Sequence, residues 1–316
     1  MTAANPLQSI VPSYLRWSYG GKILASPLEA QSSDFSFWFS SSLARGNFSF
    51  REEIRNAALA LNARGNDKPI ALGASGGIYS EALALTFKEL GIPFELFFLD
   101  IWELNHSMLK QFVLPLAEKT GASLHVVPLD RLNFARTFKS RFHELGAEYP
   151  QTLALTHLID SIPENYFPVF GLGHFERAGP LFEKIGTELP LESEKPEEVI
   201  PFVASSISFY LYGAKYRPQG EYYFFQSSPT LVASMLTDPD FQCSYPFAST
   251  RKIIHREFPE IEKRDRSSNW DSERGIKENR EIRKSLAKHA ENSEALRFWR
   301  RAAASKVERA GIFLES

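Results

Sequence analysis

Cysteine is almost absent from this sequence: Cys243 is the only one among the 316 residues. A single thiol excludes an intramolecular disulfide framework and any zinc or iron–sulfur site built from several cysteines. It is also typical of proteins from a reducing compartment. The seven histidines show no metal-ligand spacing, and no Gly-x-Ser-x-Gly motif indicates a serine hydrolase.

The sequence also has no excess of positive or negative charge and no long hydrophobic run. Its 36 Lys and Arg residues nearly balance 38 Asp and Glu residues, which does not favour a nucleic-acid partner. No apolar stretch reaches the roughly 18 residues of a membrane span, and residues 1–12 lack the pattern of a signal peptide. We therefore expect a cytoplasmic protein with no membrane partner.

What the sequence does contain, from Lys68 onward, is an alternation of short apolar runs with amphipathic segments. This alternation predicts an α/β fold: an open parallel sheet with helices on both faces. The predicted strands are Pro69–Ala74, Phe94–Ile101, Ser123–Leu129 and Phe167–Gly171. The predicted helices are Phe50–Ala63, Ser80–Leu90, Met108–Thr120, Leu132–Leu145 and Thr152–Ile162.

Three parts follow from this pattern. Residues 1–65 are interpreted as an irregular N-terminal cap that ends in a helix, and residues 66–185 as the α/β core. Residues 200–316 are predicted to be a mostly helical C-terminal part that completes the site. Within that part, Pro201–Tyr212 and Pro229–Leu236 are predicted helices, Tyr222–Phe225 is a predicted strand, and the chain from Arg251 is expected to be helical.

The most informative segment lies between the first predicted strand of the core and the helix that follows. It reads Ala74, Ser75, Gly76, Gly77, Ile78, Tyr79, Ser80 and Glu81. Paired glycines allow a sharp turn and a close approach to a ligand, and the start of a helix attracts anions. A phosphate site is one interpretation; a plain tight turn with Ser80 as the helix N-cap is the other.

This strand, loop and helix resemble the PP-loop of the ATP pyrophosphatase, or adenine nucleotide α-hydrolase, superfamily, whose folds are Rossmann-like. The resemblance implies that ATP binds with its pyrophosphate on residues Ala74 to Ser80. The usual family motif is Ser-Gly-Gly-x-Asp-Ser, and this sequence has Tyr79 where the family has an aspartate that commonly helps to hold magnesium. Glu81 would replace that aspartate only if its side chain turned back toward the phosphates.

A second part of the resemblance lies at the end of the fourth predicted strand, in Gly171, Gly173, His174 and Glu176. Ligands of open parallel sheets lie outside the carboxyl ends of the strands. The resemblance implies that both glycines lie near ATP and that Glu176 is the magnesium ligand. The alternative is a simple turn in which His174 caps a helix. Asp100, at the end of the second strand, is expected to border the nucleotide or else to cap the next turn.

A third part resembles the end of the synthase domain of asparagine synthetases. Lys252 and Arg256 are followed by Arg264, Asp265 and Arg266, which makes the likeness span about residues 68–270. The resemblance implies catalytic roles for Lys252 and Arg256 in neutralising pyrophosphate. The alternative is a solvated helix face.

The resemblance predicts an ATP- and Mg²⁺-dependent enzyme that adenylates a carbonyl or carboxylate of a small-molecule substrate. Pyrophosphate leaves, and an amine or ammonia then displaces AMP. A glutamine-hydrolysing domain with an N-terminal cysteine is not expected, because no cysteine lies near residue 1. The amine would then come from ammonia, an amine substrate or a partner protein that donates it. A homodimer is a further option. A sulfur-transfer or sulfonucleotide enzyme and a non-catalytic nucleotide-binding protein are the alternatives.

Overall fold

The computed structural model describes residues 15–19, 22–24, 35–39, 49–66, 68–101, 104–129, 150–173, 175–177, 199–201, 209, 212–213, 216–236, 238–240, 250–264 and 266. For the segments before residue 49, and for 150–153, 175–177, 199–201, 229 and 236, the description covers the backbone only. The predicted helix at 132–145, Cys243 and the part of the predicted helical C-terminus after residue 266 lie outside the described residues.

The segment predicted to be an irregular cap contains a small sheet. Three antiparallel strands, β1 (Leu15–Tyr19), β2 (Lys22–Leu24) and β3 (Phe35–Phe39), are arranged in the order β2-β1-β3. In β1, the apolar residues Leu15, Trp17 and Tyr19 alternate with Arg16 and Ser18, and this period of two is the signature of a strand; β3 is rich in the aromatic residues that favour strands. The prediction of an irregular segment was wrong because it gave that alternation too little weight.

Helix α1 (Phe50–Arg64) begins at Ser49, whose hydroxyl accepts a hydrogen bond from the Glu52 amide. Its buried side chains recur at helical spacing: Phe50, Ile54, Ala57, Ala58 and Leu61. The prediction of this helix and of its buried face is confirmed.

The core is a sheet of four parallel strands. It is built from β4 (Ile70–Gly73), helix α2 (Ile78–Leu90), β5 (Phe94–Asp100), a helical segment at 106–120, β6 (Leu124–Pro128), helix α5 (Pro150–Ser161) and β7 (Phe167–Phe170). The segment at 106–120 consists of α3 (His106–Met108), a π-helical turn (Leu109–Val113) and α4 (Leu114–Thr120).

The sheet confirms the predicted α/β fold. All residues of β4 and β7 are buried. Since successive residues of a strand point to opposite faces, both faces of the sheet are covered at these strands. The strand order β6-β5-β4-β7 places β4 in the interior, paired in parallel with both β5 and β7.

The C-terminal elements differ from the prediction in several places. Residues 175–177 form β8 (Phe175–Arg177), which pairs with β9 (Val199–Pro201), so Pro201 ends a strand and does not begin a helix. The predicted aromatic strand is a 3₁₀ turn, Phe224–Gln226, preceded by a single bridge from Glu221 to Val169. Four aromatic side chains in this stretch are buried, so core packing explains their density: Tyr222, Tyr223, Phe224 and Phe225.

Helix α6 (Pro229–Leu236) matches its prediction. Helix α7 (Thr250–Glu257) is shorter than expected, because the chain turns at Phe258 and continues without helix to Arg264. The Arg51 side chain of α1 donates to the Glu257 carbonyl over 2.6 Å, which ties the end of α7 to α1. Among the described helices, none has the length and apolar character needed to cross a lipid bilayer.

Gly73 shows how tightly the ends of β4 and β7 pack. It lies opposite Phe170 in the register, and a Cβ atom there would lie 2.4 Å from the Phe170 ring. We predict that Gly73→Ala destabilises the protein by about 1–3 kcal/mol, since the ring has to move in a close-packed core. Urea denaturation would measure this change. Ser123→Ala, at an exposed residue before β6, is the control, and equal stability of the two variants would contradict the prediction.

Candidate functional site

A cavity of about 210 Å³ lies at the carboxyl ends of β4, β5 and β7. In the order β6-β5-β4-β7, the chain leaves β4 toward β5 on one side and returns to β7 on the other, so the strand order reverses between β4 and β7. Open α/β sheets bind ligands in the crevice at this kind of reversal. The walls are mostly apolar and include Gly73, Ala74, Ser75, Ser80, Leu99, Ile101, Asn105, Met108, Leu158, Phe170, Gly171 and Leu172.

The loop between β4 and α2 forms one side of this cavity. Gly76 has a φ of 79°, a conformation that favours glycine, and a Cβ there would lie 3.0 Å from the Met108 Cε atom. The exposed Ser75 hydroxyl accepts a hydrogen bond from the Gly77 amide over 3.2 Å. The structure therefore brings together Ala74, Ser75 and Ser80 at the cavity, with both glycines in the turn beside them.

Helix α2 begins at Ile78 with Gly77 as its N-cap, and no side chain caps it. Ser80 is therefore not the N-cap: its hydroxyl donates to the Gly77 carbonyl over 3.0 Å and lies 3.5 Å from the Ser75 hydroxyl. The first-turn amides of a helix lack intrahelical partners, and they attract anions together with the helix dipole. The hydroxyl groups of Ser75 and Ser80 therefore lie beside the N-terminus of this helix.

Tyr79 occupies the position of the expected aspartate and points to the C-terminal elements. Its hydroxyl accepts a hydrogen bond from the buried Thr250 side chain of α7 over 2.9 Å. Its ring packs edge-on against Phe225, with 5.4 Å between centroids. The side chain at position 79 therefore joins the loop to α7 and to the 3₁₀ turn.

Glu81, the expected substitute for that aspartate, pairs with Arg266 over 2.6 Å. The same guanidinium nitrogen of Arg266 donates to the Gly76 carbonyl over 3.0 Å. Sequence reasoning had grouped Arg266 with pyrophosphate-binding cations, but the structure places it on the backbone of the loop. No local signal in the sequence shows this contact, because 190 positions separate the two residues.

Asp100 ends β5, but it is not among the cavity-lining residues; its neighbours Leu99 and Ile101 are. The Asp100 carboxylate lies 3.3 Å from the His106 Nδ1 atom. Asn105, which sequence reasoning missed, does line the cavity. Its amide group donates to the Leu99 carbonyl over 2.6 Å and accepts from the Ile101 amide over 2.8 Å, which fixes the end of β5.

The two glycines after β7 differ in position. Gly171 lines the cavity, and a Cβ there would lie 3.2 Å from the Ser80 nitrogen. Gly173 is buried away from the lining, and its carbonyl accepts from the Gln226 side chain over 3.0 Å. His174 lies outside the described residues. Glu176 lies in β8, a strand described at the backbone only, so the alternative of a helix cap at this turn is wrong.

Arg256 and Lys252 lie on α7, whose buried face carries Ile253 and Ile254. The Arg256 guanidinium pairs with Asp238, Asp240 and Glu257. Asp238 and Glu257 raise the pKa of Arg256, chiefly through the hydrogen bond to Asp238. Arg256 is therefore committed to an acidic cluster, and Lys252 is exposed on the same helix.

The described residues do not fit a magnesium ion at the loop. Tyr79 supplies no carboxylate, and the Glu81 carboxylate is paired with Arg266. Over the described ranges, no group of three or more His, Cys, Asp or Glu side chains is arranged to hold a metal. We therefore derive no chemical step from a metal at this site.

Comparison with known proteins adds no relative. No protein-family model matches the sequence, and no curated protein matches it. The function of the protein is therefore inferred from the geometry of the site and from the resemblance of its motifs.

His255 lies on α7 close to the Arg266 segment. Burial lowers the pKa of its imidazole below the ordinary value, and the positive charges of Arg266, Lys263 and Arg251 act in the same direction. Its Nδ1 atom is buried and has no hydrogen-bond partner within the described part of the chain. The folded protein therefore favours the neutral ring.

We predict that stability declines as the pH falls below about 6.5, the ordinary histidine value, because the unfolded chain then binds the proton more readily. The decline ends once the pH is below the pKa of the folded state. His255→Gln should make the fall in unfolding free energy between pH 7.5 and pH 5.5 smaller. Urea denaturation at both pH values measures this, with exposed His106→Gln as control. Identical pH dependence in wild type and His255→Gln would contradict the prediction.

Proposed function

We propose that this protein binds ATP with its phosphates over the loop from Ser75 to Ser80 and adenylates a carbonyl or carboxylate oxygen. One observation carries the proposal: the Ser-Gly-Gly turn lies at the reversal of strand order and borders a cavity between β4, β5 and β7. The resemblance of this turn to a PP-loop supplies the reaction class.

The phosphates are assigned to the exposed side of the site. Ser75 is exposed, whereas Ile101 and Phe170 are buried in the walls. Ligand pockets usually measure about 300–1,000 Å³, so a cavity of about 210 Å³ holds only part of a nucleoside triphosphate. The apolar walls suit the base, and the triphosphate then extends over Ser75 toward the start of α2.

The chemistry assigned to the loop is electrostatic. In adenylation, a substrate oxygen attacks the α-phosphorus, and the bond to the β-phosphate oxygen breaks with its electron pair on pyrophosphate. A nitrogen nucleophile then attacks the acyl carbon, AMP departs and the nitrogen loses a proton. Backbone amides and a helix N-terminus fixed around the leaving pyrophosphate stabilise the charge that develops there.

A second candidate is nucleotide binding without turnover. The observation in its favour is that Tyr79 replaces the family carboxylate and is held by Thr250, while Glu81 is held by Arg266. The sulfur-transfer alternative has less support, since such chemistry normally needs several cysteines and the sequence has only Cys243.

The binding step is tested by calorimetric titration with ATP. We expect the double variant Ser75→Ala/Gly77→Ala to weaken ATP binding about tenfold or more, which corresponds to roughly 1.4 kcal/mol. The reason is that it removes a hydroxyl group and places a methyl group where phosphate would approach. The titration is run with Mg²⁺ and again in EDTA, so that a contribution of the metal to ATP binding is measured directly.

Ser123→Ala is the matched control, since Ser123 precedes β6 at the opposite, amino-terminal edge of the sheet. Wild-type affinity in the double variant, with its fold intact by circular dichroism, would contradict a phosphate site at the loop.

The catalytic step is tested at position 79. We expect the wild type to release pyrophosphate in a screen of carboxylates with an amine acceptor. Tyr79→Asp should reduce this rate, because it removes the contact to Thr250. Tyr79→Phe, which loses only the hydroxyl group, should have an intermediate rate. An inactive wild type together with an active Tyr79→Asp variant would instead favour the non-catalytic candidate.

A further inference from the structure

We infer that Arg266 is a positioning residue that fixes the peptide between Gly76 and Gly77, so that the Gly77 amide faces the phosphate side of the loop. The inference rests on the proposed function for its consequence in ligand binding. Its structural part rests on the contacts of Arg266 alone.

Arg266 does not lie in a helix, but its side chain is held by contacts on several sides. Its side chain is only 5% exposed, and that of its ion-pair partner Glu81 is 13% exposed. The guanidinium donates to the Gly76 and Glu262 carbonyls over 3.0 and 3.2 Å. It also lies over the Phe112 ring, 4.4 Å from the centroid. An arginine fixed in this way offers a rigid donor to the loop.

The ring beneath the guanidinium comes from an unusual element. Phe112 belongs to the π-helical turn Leu109–Val113, and π-helical turns within helices are frequent at functional sites. Met108, directly before this turn, packs against Gly76. The turn therefore supports the loop both through Met108 and through the ring that holds Arg266.

The orientation of one peptide follows from the Arg266 contact. In a trans peptide, the carbonyl of one residue and the amide hydrogen of the next point in opposite directions. Because Arg266 holds the Gly76 carbonyl on its own side, the Gly77 amide points the other way, toward the Ser75 hydroxyl at 3.2 Å. Ser75 lines the cavity, so the amide of Gly77 fixes this hydroxyl group on the side where an anion would lie.

Gly76 makes such a constraint necessary. Glycine has low steric barriers on both sides of the conformational map, so the peptide that follows it has more than one accessible orientation. The carbonyl of Gly76 would repel phosphate if it faced the cavity. The contact from Arg266 favours the opposite orientation before any ligand binds.

The charge of Arg266 has a separate effect on the site. Unpaired, the Glu81 carboxylate would stand in the first turn of α2 and repel an anion at the helix N-terminus. Arg266 neutralises it, and the pair leaves no net charge beside the loop. Orientation and neutralisation can be separated, because Glu81→Gln removes the charge and leaves the Arg266–Gly76 contact in place.

The experiment compares Arg266→Lys, Arg266→Met and Glu81→Gln by calorimetric titration with ATP and with inorganic pyrophosphate. We expect both Arg266 variants to bind about tenfold or more weakly, since a single ammonium group cannot reproduce the guanidinium fork. Glu81→Gln should stay within about threefold of the wild type. Wild-type affinity in both Arg266 variants, or an equal loss in all the variants, would overturn the inference.

A second readout follows the loop without a ligand. Selective ¹⁵N-glycine labelling gives signals for the 18 glycines, and the Gly77→Ala variant identifies the Gly77 amide. We expect a shifted signal and faster hydrogen exchange for Gly77 in Arg266→Lys, but not in Glu81→Gln. Gly91, at the far end of α2, is the internal reference.

The two measurements distinguish a failure of the proposed ATP-binding function from a failure of the positioning role of Arg266. If the wild type binds neither ATP nor pyrophosphate, the proposed function fails, and the Gly77 signal alone decides on the positioning role. An unchanged Gly77 signal in Arg266→Lys, which keeps the charge and most of the side-chain volume, would overturn that role whatever the affinity measurements give.

Discussion

The parallel pairing of β4 with both β5 and β7 is the constraint on which the candidate site depends. The carboxyl end of β4 is flanked by those of β5 and β7, and the chain leaves β4 toward β5 and later returns to β7 on its other side. The space between the outgoing and the returning chains is the cavity beside the Ser-Gly-Gly turn. Gly73 and Phe170 set its floor, since the ring fits only because position 73 lacks a side chain.

The second constraint is electrostatic and concerns what surrounds the loop. Position 79 carries an aromatic residue that bonds to Thr250, and position 81 carries a carboxylate paired with a buried arginine. Tyr79 and Glu81, which both lie in the first turn of α2, therefore contact residues of the segment from Thr250 to Arg266. In a site of this kind, negative phosphate meets backbone amides, hydroxyl groups and the helix dipole, with the neighbouring charges already balanced.

The sequence was sufficient to predict the features that depend on near neighbours. The apolar run before Ser75, the glycines and the helix that ends at Gly91 follow from periodicity and turn chemistry, and all are present in the structure. The parallel sheet was likewise predictable from the alternation of elements. The placement of β7 beside β4 was not predictable, because the spacing along the chain does not decide at which edge of the sheet a later strand is added.

Pairings distant in the sequence account for what prediction missed at the site. Arg266 resembled a phosphate-binding cation because nothing close to it in sequence shows that Glu81 and Gly76 are its partners. Arg256 also resembled a phosphate-binding cation. Its partners Asp238 and Asp240 precede it by 18 and 16 residues. In both cases the motif identified a basic residue correctly but left open which negative group it meets.

The loop is supported differently from what the PP-loop resemblance would imply. That resemblance would place a carboxylate at position 79, and a cation bound to it would lie close to the first turn of α2. Here the tyrosine and the Glu81–Arg266 pair provide contacts between the loop and the C-terminal segment instead. A loop supported from within the chain keeps its shape without a bound ion, because a buried arginine holds the backbone that an ion and its ligands would otherwise order. Tyr79 and the buried Arg266 therefore have the same structural effect, since both join the loop to the segment from Thr250 to Arg266.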